Sequence, residues 1–257
     1  MVAVPRSARL VAWGNAWLRG STSLDEAAAR VCGSDEPHRV HGLPGQLDPL
    51  AMTVALGRLR GWGVESFRLA LPVAGDPLGL CGPAEFTRRA VDVGEAVLAV
   101  GDNEAIGLVP DIAVHGPNGD TIATLRWDAE PVHCPAGIPL PTVAEADREL
   151  SETLRDATAR LAALDVARWR PELAEALVAV RRLGADGDAL APGYPPRAVQ
   201  LLASARRLAA VAALAQVDDG ASVSAGDMAA RRDALRPLER ATRRAQVAAY
   251  NAVLEPS

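Results

Sequence analysis

Lysine is absent from this 257-residue chain; all 27 basic residues are arginine. Schiff-base catalysis, pyridoxal phosphate attachment and a Walker-type phosphate lysine all need an amine that is missing. The accompanying excess of Ala, Gly, Val and Pro over Ile and Asn marks high-GC coding rather than selection for guanidinium chemistry. Cysteine is scarce as well. Three cysteines, an odd number without close spacing, argue against a disulfide framework and predict a reducing, cytoplasmic setting. Nothing approaches 18 consecutive apolar residues, and the longest charge-free helical stretch, Leu208–Val217, is short, so no membrane span is expected. The first twenty residues carry Arg6 and Arg9 but no apolar core followed by a small-residue cleavage site, so no export signal is read. Catalytic signatures are also lacking: there is no G-x-S-x-G elbow and no papain- or caspase-like cysteine context.

What is present is a globular composition, 49% hydrophobic and 23% charged, long enough for one large domain or two small ones. Its character changes near residue 140. Before that point Gly, Pro and short alternating segments dominate; after it come long alanine-rich stretches with helical spacing. The segment Pro131–Pro141 carries four prolines and no charge, and reads as a linker between a mixed α/β domain (1–130) and a helical domain (142–257).

In the first half, Arg9–Trp17 suits a strand or the start of a helix. Ser23 with Glu26 three residues later is a capping box, opening a helix that ends at Gly33. Leu47–Leu59 reads as a second helix closed by Gly61 and Gly63. Val64–Val73 alternates as a strand does. A Gly-rich loop then leads to Pro83 and a helix to about Val93. Glu95–Val100 is the next strand, followed by a hairpin, Asp111–His115 and Thr121–Trp127, about an Asn118-Gly119 turn. In the second half, Thr142 with Glu145 opens a helix with Leu150, Leu154, Ala157, Leu161 and Leu164 on one face. Pro171 starts another. Arg197–Val217 is apolar nearly all round and is expected at the centre of its bundle. Ser224 and Asp227 cap the last helix, which Pro237 should kink or split. The fold class is therefore α+β: a small mixed or antiparallel sheet with helices on one face, then an alanine-rich bundle of about four helices.

The stretches GDPLGLCGPAEFTRRA (75–90), LDVARWRPELAEAL (164–177), PGYPPRAVQLLA (192–203) and RPLERATRRAQVAAYNA (236–252) resemble an uncharacterised protein family of high-GC actinobacteria. The resemblance covers most of the chain. It implies a shared fold and a bacterial cytoplasmic setting, and it brings no activity with it.

Three constellations are candidates for function. The metal-ligand types Cys32, His38, His41, Cys81, His115, His133 and Cys134 offer a single closely spaced His pair, where structural zinc usually needs two ligand pairs, so no metal is expected and no cofactor is called for. The loop 74–83, with Asp76 and Cys81, precedes a helix start carrying Arg88 and Arg89. Free backbone donors and guanidinium groups there suit a small anionic ligand, and a thiol ahead of a helix N-terminus is activated toward thiolate. Finally, Arg232, Arg236, Arg240 and Arg244 follow at steps of four, one inclined ridge of a helix. Glu145, Glu149, Glu152 and Asp156 are an opposing acidic set that would make this ridge structural. With 16 arginines against 16 acids in 143–257 and a net charge of −5 overall, a nucleic-acid partner is not expected. The sequence thus leaves two functional classes: a non-enzymatic interaction protein that takes a protein partner through its helical domain, and a ligand-binding protein or enzyme acting at loop 74–83.

Overall fold

A computed structural model describes residues 4–33, 37–102, 104–115, 122–134, 140–163, 190–217 and 225–254. The chain forms two compact units, one comprising Val4–Leu140, Ala189–Tyr194 and Val253–Ser257, the other Met1–Ala3, Pro141–Asp188 and Pro195–Ala252. The fold is α+β, with a six-stranded mixed sheet in the first unit and helices in the second.

The sheet unit runs α1 (Arg6–Leu18), α2 (Leu24–Cys32), β1 (Arg39–His41), β2 (Leu50–Ala51), α3 (Met52–Gly61), β3 (Val64–Ala70), α4 (Ala84–Val93), β4 (Ala96–Gly101), β5 (Ala105–His115) and β6 (Ile122–Val132). The strand order is β2-β1-β6-β5-β4-β3. Strands β3 to β6 form an antiparallel meander, and β1 joins it in parallel, with Arg39 opposite Arg126 and His41 opposite Asp128. The apolar run 9–17 is helical. Ser23 caps α2 by accepting the Glu26 N–H at 3.1 Å, and Gly33 ends it. The helix read over Leu47–Leu59 begins only at Met52, because Leu50 and Ala51 pair with β1 as β2. Pro49 removes a donor and forces Asp48 away from helical geometry, which explains the late start. The hairpin strands are longer than the alternation implied, and their turn lies outside the described residues.

Residues 131–141 are not a linker throughout. Pro131 and Val132 belong to β6, opposite Ile106 and Ala105. Proline is tolerated there because β1 pairs with β6 only at 126–128, so the missing N–H faces no neighbouring strand.

Helices cover both faces of the sheet rather than one. The register Arg68–Leu98–Gly107–Glu130 places these four residues on one face and Phe67 and Trp127 on the other. On the Phe67 face, α1 approaches so closely that a Cβ at Gly14 would lie 2.7 Å from the Phe67 ring. On the opposite face, the Phe86 ring of α4 occupies the space a side chain at Gly107 would need. The core here is Ala70, Leu80, Phe86, Ala90, Leu98, Val109 and Val132.

Asn15 of α1 performs the work of a neighbouring strand. Its Nδ2 donates to the Phe67 carbonyl at 2.7 Å, and its Oδ1 accepts from the Phe67 N–H at 2.9 Å. β3 is an edge strand, so these backbone groups would otherwise be buried without a ladder partner. Two cation–π contacts, Arg30 on Trp13 and Arg60 on Trp17, involve residues one turn apart on α1, on the side away from Asn15.

The helical unit contains α5 (Val143–Ala163), α6 (Pro196–Val217) and α7 (Ala225–Asn251), followed by a 3-10 turn (Ala252–Leu254). The capping box that opens α5 is complete: Thr142 N–H donates to the Glu145 carboxylate at 2.9 Å, and Glu145 N–H donates to the Thr142 hydroxyl at 3.2 Å. The helix read from Pro171 and the cap at Ser224 lie outside the described residues. Among the described helices α7, not α6, is central, since it packs along both α5 and α6, which touch one another little. α7 also continues through Pro237 as one helix rather than two. Its inner face is Ala234, Leu235, Leu238, Ala241 and Ala245, all buried. Small methyl groups let the axes approach, which replaces the area that large side chains would bury. α6 leaves Val199 and Val211 exposed. By length and composition its stretch Pro196–Ala215 could cross a membrane, which counting only charge-free residues had missed; a core helix of a soluble protein passes the same test.

Candidate functional site

The first candidate region is the loop before α4. Asp76 closes a tight turn in which Val73 N–H donates to the Asp76 carbonyl at 3.0 Å and Asp76 N–H returns to the Val73 carbonyl at 2.9 Å. Leu78 follows with φ of +42°, a left-handed conformation that branched and bulky residues rarely adopt. Its side chain and that of Leu80 are buried, and they hold the loop down.

Cys81 is not a free thiol. It is disulfide-bonded to Cys134, with the two Cα atoms 5.2 Å apart and the residues 53 positions apart in sequence. This corrects the expectation of unpaired cysteines and removes Cys81 as a thiolate nucleophile in this state. Sequence spacing carried no sign of the pair, because the antiparallel meander alone brings the end of β6 beside the start of α4. Cys32 is the remaining cysteine and is free of disulfide.

The two arginines of this region are already engaged. Arg88 is exposed on α4 and clamps Glu85 with two nitrogens, at 3.2 and 2.5 Å, and Asp92 at 3.0 Å. These bonds hold the Glu85 carboxyl below its ordinary range and raise the Arg88 guanidinium. Arg89 turns to the sheet instead, reaching Glu130 at 3.0 Å and Asp128 at 3.7 Å. Asp128 is also held by Arg126 at 2.6 Å. The structure therefore brings Arg89 to a charged strip on β6 that was not read in the sequence. The signal for it was there: Arg126, Asp128 and Glu130 alternate with Trp127 and Ala129 in β6, so the charges share one face. His41 of β1 lies on that same face, in register with Asp128.

His38 and His41, the closely spaced metal-ligand pair, are separated by the sheet. His38 is buried on the opposite face, where its Nδ1 accepts from the Trp127 indole at 3.3 Å. Among the described residues no three His, Cys, Asp or Glu side chains converge to hold a metal ion.

The start of α1 resembles an anion site, but the chain fills it itself. The Glu95 carboxylate accepts from the Ser7 N–H at 2.7 Å. Burial raises the Glu95 carboxyl above its ordinary value; the Ser7 bonds and the nearby Arg6 and Arg9 oppose that rise without cancelling it.

The second candidate region is the arginine row of α7. Arg232, Arg236 and Arg240 are exposed, while Leu235 and Leu238 between them are buried. Arg244, at the end of the row, is half-buried and bonds Glu149 of α5 through Nε at 2.9 Å. Arg236 reaches Asp233 on its own helix, at 2.9 Å. Arg197 of α6 pairs with Asp147 of α5 at 3.5 Å. One end of the row is thus tied into the bundle and the other faces outward.

Family models match both units of the chain. Residues 7–143 match the N-terminal domain of Rv1486c-like proteins, and residues 144–247 match their C-terminal domain. An uncharacterised protein of Mycobacterium tuberculosis, Rv1486c, is 28% identical over 96% of both chains. Another from Mycobacterium leprae, ML1804, is 27% identical over 96% of this chain and 97% of its own. No solved structure matches. With both domain models matched in order over nearly the whole length, this chain belongs to the Rv1486c-like family, whose relatives named here are uncharacterised.

Proposed function

We propose that this protein is a non-catalytic interaction protein that takes an acidic protein partner on the outward end of the α7 arginine row. The observation that supports this reading is the division of the row. Arg244 is committed to Glu149 across the bundle, whereas Arg232 and Arg236 lie exposed beside a buried Leu235/Leu238 face. An exposed pair such as Arg236–Asp233 contributes little, so a partner's carboxylates can replace it at small cost. Planar guanidinium groups suit bidentate carboxylate recognition. The alternative reading, an anionic ligand or catalysis at loop 74–83, has no such support: Arg88 and Arg89 are both held by carboxylates and Cys81 is bonded.

The test is replacement of Arg232 and Arg236 together by alanine. Capture of the partner from native lysate should weaken at least tenfold and wild-type capture should fall as salt is raised, with the unfolding midpoint unchanged. Undiminished capture by the double variant refutes the assignment of this face.

A further inference from the structure

The disulfide sits where the loop 74–83 meets the sheet. Cys81 is buried in the cluster with Leu80, Phe86, Ala90 and Val132, and Cys134 packs against that cluster from a more open position two residues beyond β6. Among the described residues the loop's internal backbone–backbone bonds are those of the Val73–Asp76 turn and the Leu80 N–H to the Pro77 carbonyl at 3.0 Å, and Gly75, Leu78, Gly79 and Gly82 all have positive φ. Leu140 closes over Gly79, whose missing Cβ makes the contact feasible. Side-chain anchors, with the disulfide the strongest among them, thus determine whether this loop stays down.

We propose that Cys81–Cys134 is a reversible redox clasp that holds loop 74–83 on the sheet when oxidised and releases it when a low-molecular-weight thiol reduces it. The more open Cys134 Sγ is the atom a thiolate can attack. The Cys81–Cys134 bond breaks, its electron pair goes to Cys81 Sγ, and a mixed disulfide forms on Cys134. A second thiolate attacks the small-molecule sulfur of that mixed disulfide and frees Cys134. Two small thiols are thereby oxidised to their disulfide, and the protein gains two electrons and two protons. Cys81, the more buried of the two sulfurs, is the leaving group because attack falls on the more open Cys134. The same steps run backwards when the small disulfide is in excess.

The experiment uses the full chain equilibrated in reduced and oxidised glutathione at graded ratios, then alkylated and weighed, with hydrogen exchange followed at the Asp76 and Leu80 amides. Cys81 and Cys134 should gain label together in one two-electron transition, independently of Cys32. On reduction the Asp76 and Leu80 amides should exchange at least tenfold faster, approaching the rate of open chain, while the amides of β4 remain slow. The Cys81→Ala/Cys134→Ala variant should show the fast loop exchange in both buffers; the wild-type comparison stands even if that variant folds poorly. Labelling of both thiols under oxidising conditions overturns the pairing. Equal loop protection in the oxidised and reduced wild type overturns the clasp and leaves a merely structural bond.

Discussion

Replacing Asn15 tests whether one amide side chain closes the edge of the sheet. Asn15 is 2% exposed, so its two bonds to Phe67 have no water to take their place. Asn15→Ala leaves a buried N–H and a buried C=O without partners. At about 1–3 kcal/mol for each orphaned group, the loss should be roughly 4 kcal/mol. Asn15→Asp is the sharper probe. A carboxylate still accepts from the Phe67 N–H, but it sets a second oxygen against the Phe67 carbonyl, and burial disfavours its charge. Its folded pKa should therefore be raised. The stability linked to it is then present below the ordinary carboxyl range and lost as pH rises through the raised value. Protonated, the acid donates to the carbonyl as the amide did, so the deficit of Asn15→Asp should shrink between pH 8 and pH 4. Denaturant unfolding followed by tryptophan fluorescence suits the measurement, because Trp13 and Trp17 flank Asn15 on α1. Exchange of the Phe67 amide supplies a local readout. An Asn15→Ala loss under about 1 kcal/mol, or an Asn15→Asp deficit indifferent to pH, refutes the edge-closing role.

Glu95→Gln keeps an acceptor for the Ser7 N–H while removing a partly buried charge. Because burial raises the Glu95 carboxyl, the stability it contributes is complete below its ordinary 4.5 and lost as pH rises through the raised value, so wild type should lose ground to Glu95→Gln between pH 5 and pH 8 in urea unfolding. Equal pH slopes in the two proteins would show that the carboxylate is solvated. For the half-exposed Arg244–Glu149 pair, a double-mutant cycle with alanine should give a coupling of about 0.5–1 kcal/mol that declines in high salt; no measurable coupling would mean that this end of the row is as available to a partner as Arg236.

Legibility in the sequence followed the range of the interactions. Ser23/Glu26 and Thr142/Glu145 announced their helices because a capping box is closed within four residues. The strands of the meander showed in their alternation. β1 and β2 did not, since segments of three and two residues hold no period and their definition comes from β6, far along the chain. Asp48-Pro49 was a readable stop against helix that the apolar spacing of 47–59 overrode. The second face of helix packing was hidden because it depends on register: Gly107 makes room for Phe86 only once β4 and β5 are paired. At the candidate sites, the arginine row and its acidic counterpart were visible as helical spacings, while the engagement of Arg89 by Asp128 and Glu130 required the sheet. The Cys81–Cys134 bond was invisible for the same reason, and an odd cysteine count pointed the wrong way.

The parallel seam between β1 and β6 gives the growing chain a long wait. Arg39 leaves the ribosome 87 positions before its partner Arg126. At synthesis rates of about 5–20 residues per second, that interval is on the order of 4–17 s. Throughout it, β1 and β2 have each other but no sheet to join, and Val40, almost wholly buried at the end, has no Trp127 layer to enter. The meander can assemble as it emerges, one antiparallel neighbour at a time, but the first strands made must be the last to dock. A nascent chain halted before residue 122 would display an unclaimed two-strand ribbon, the kind of edge that chaperones shield and that neighbouring nascent chains can pair with.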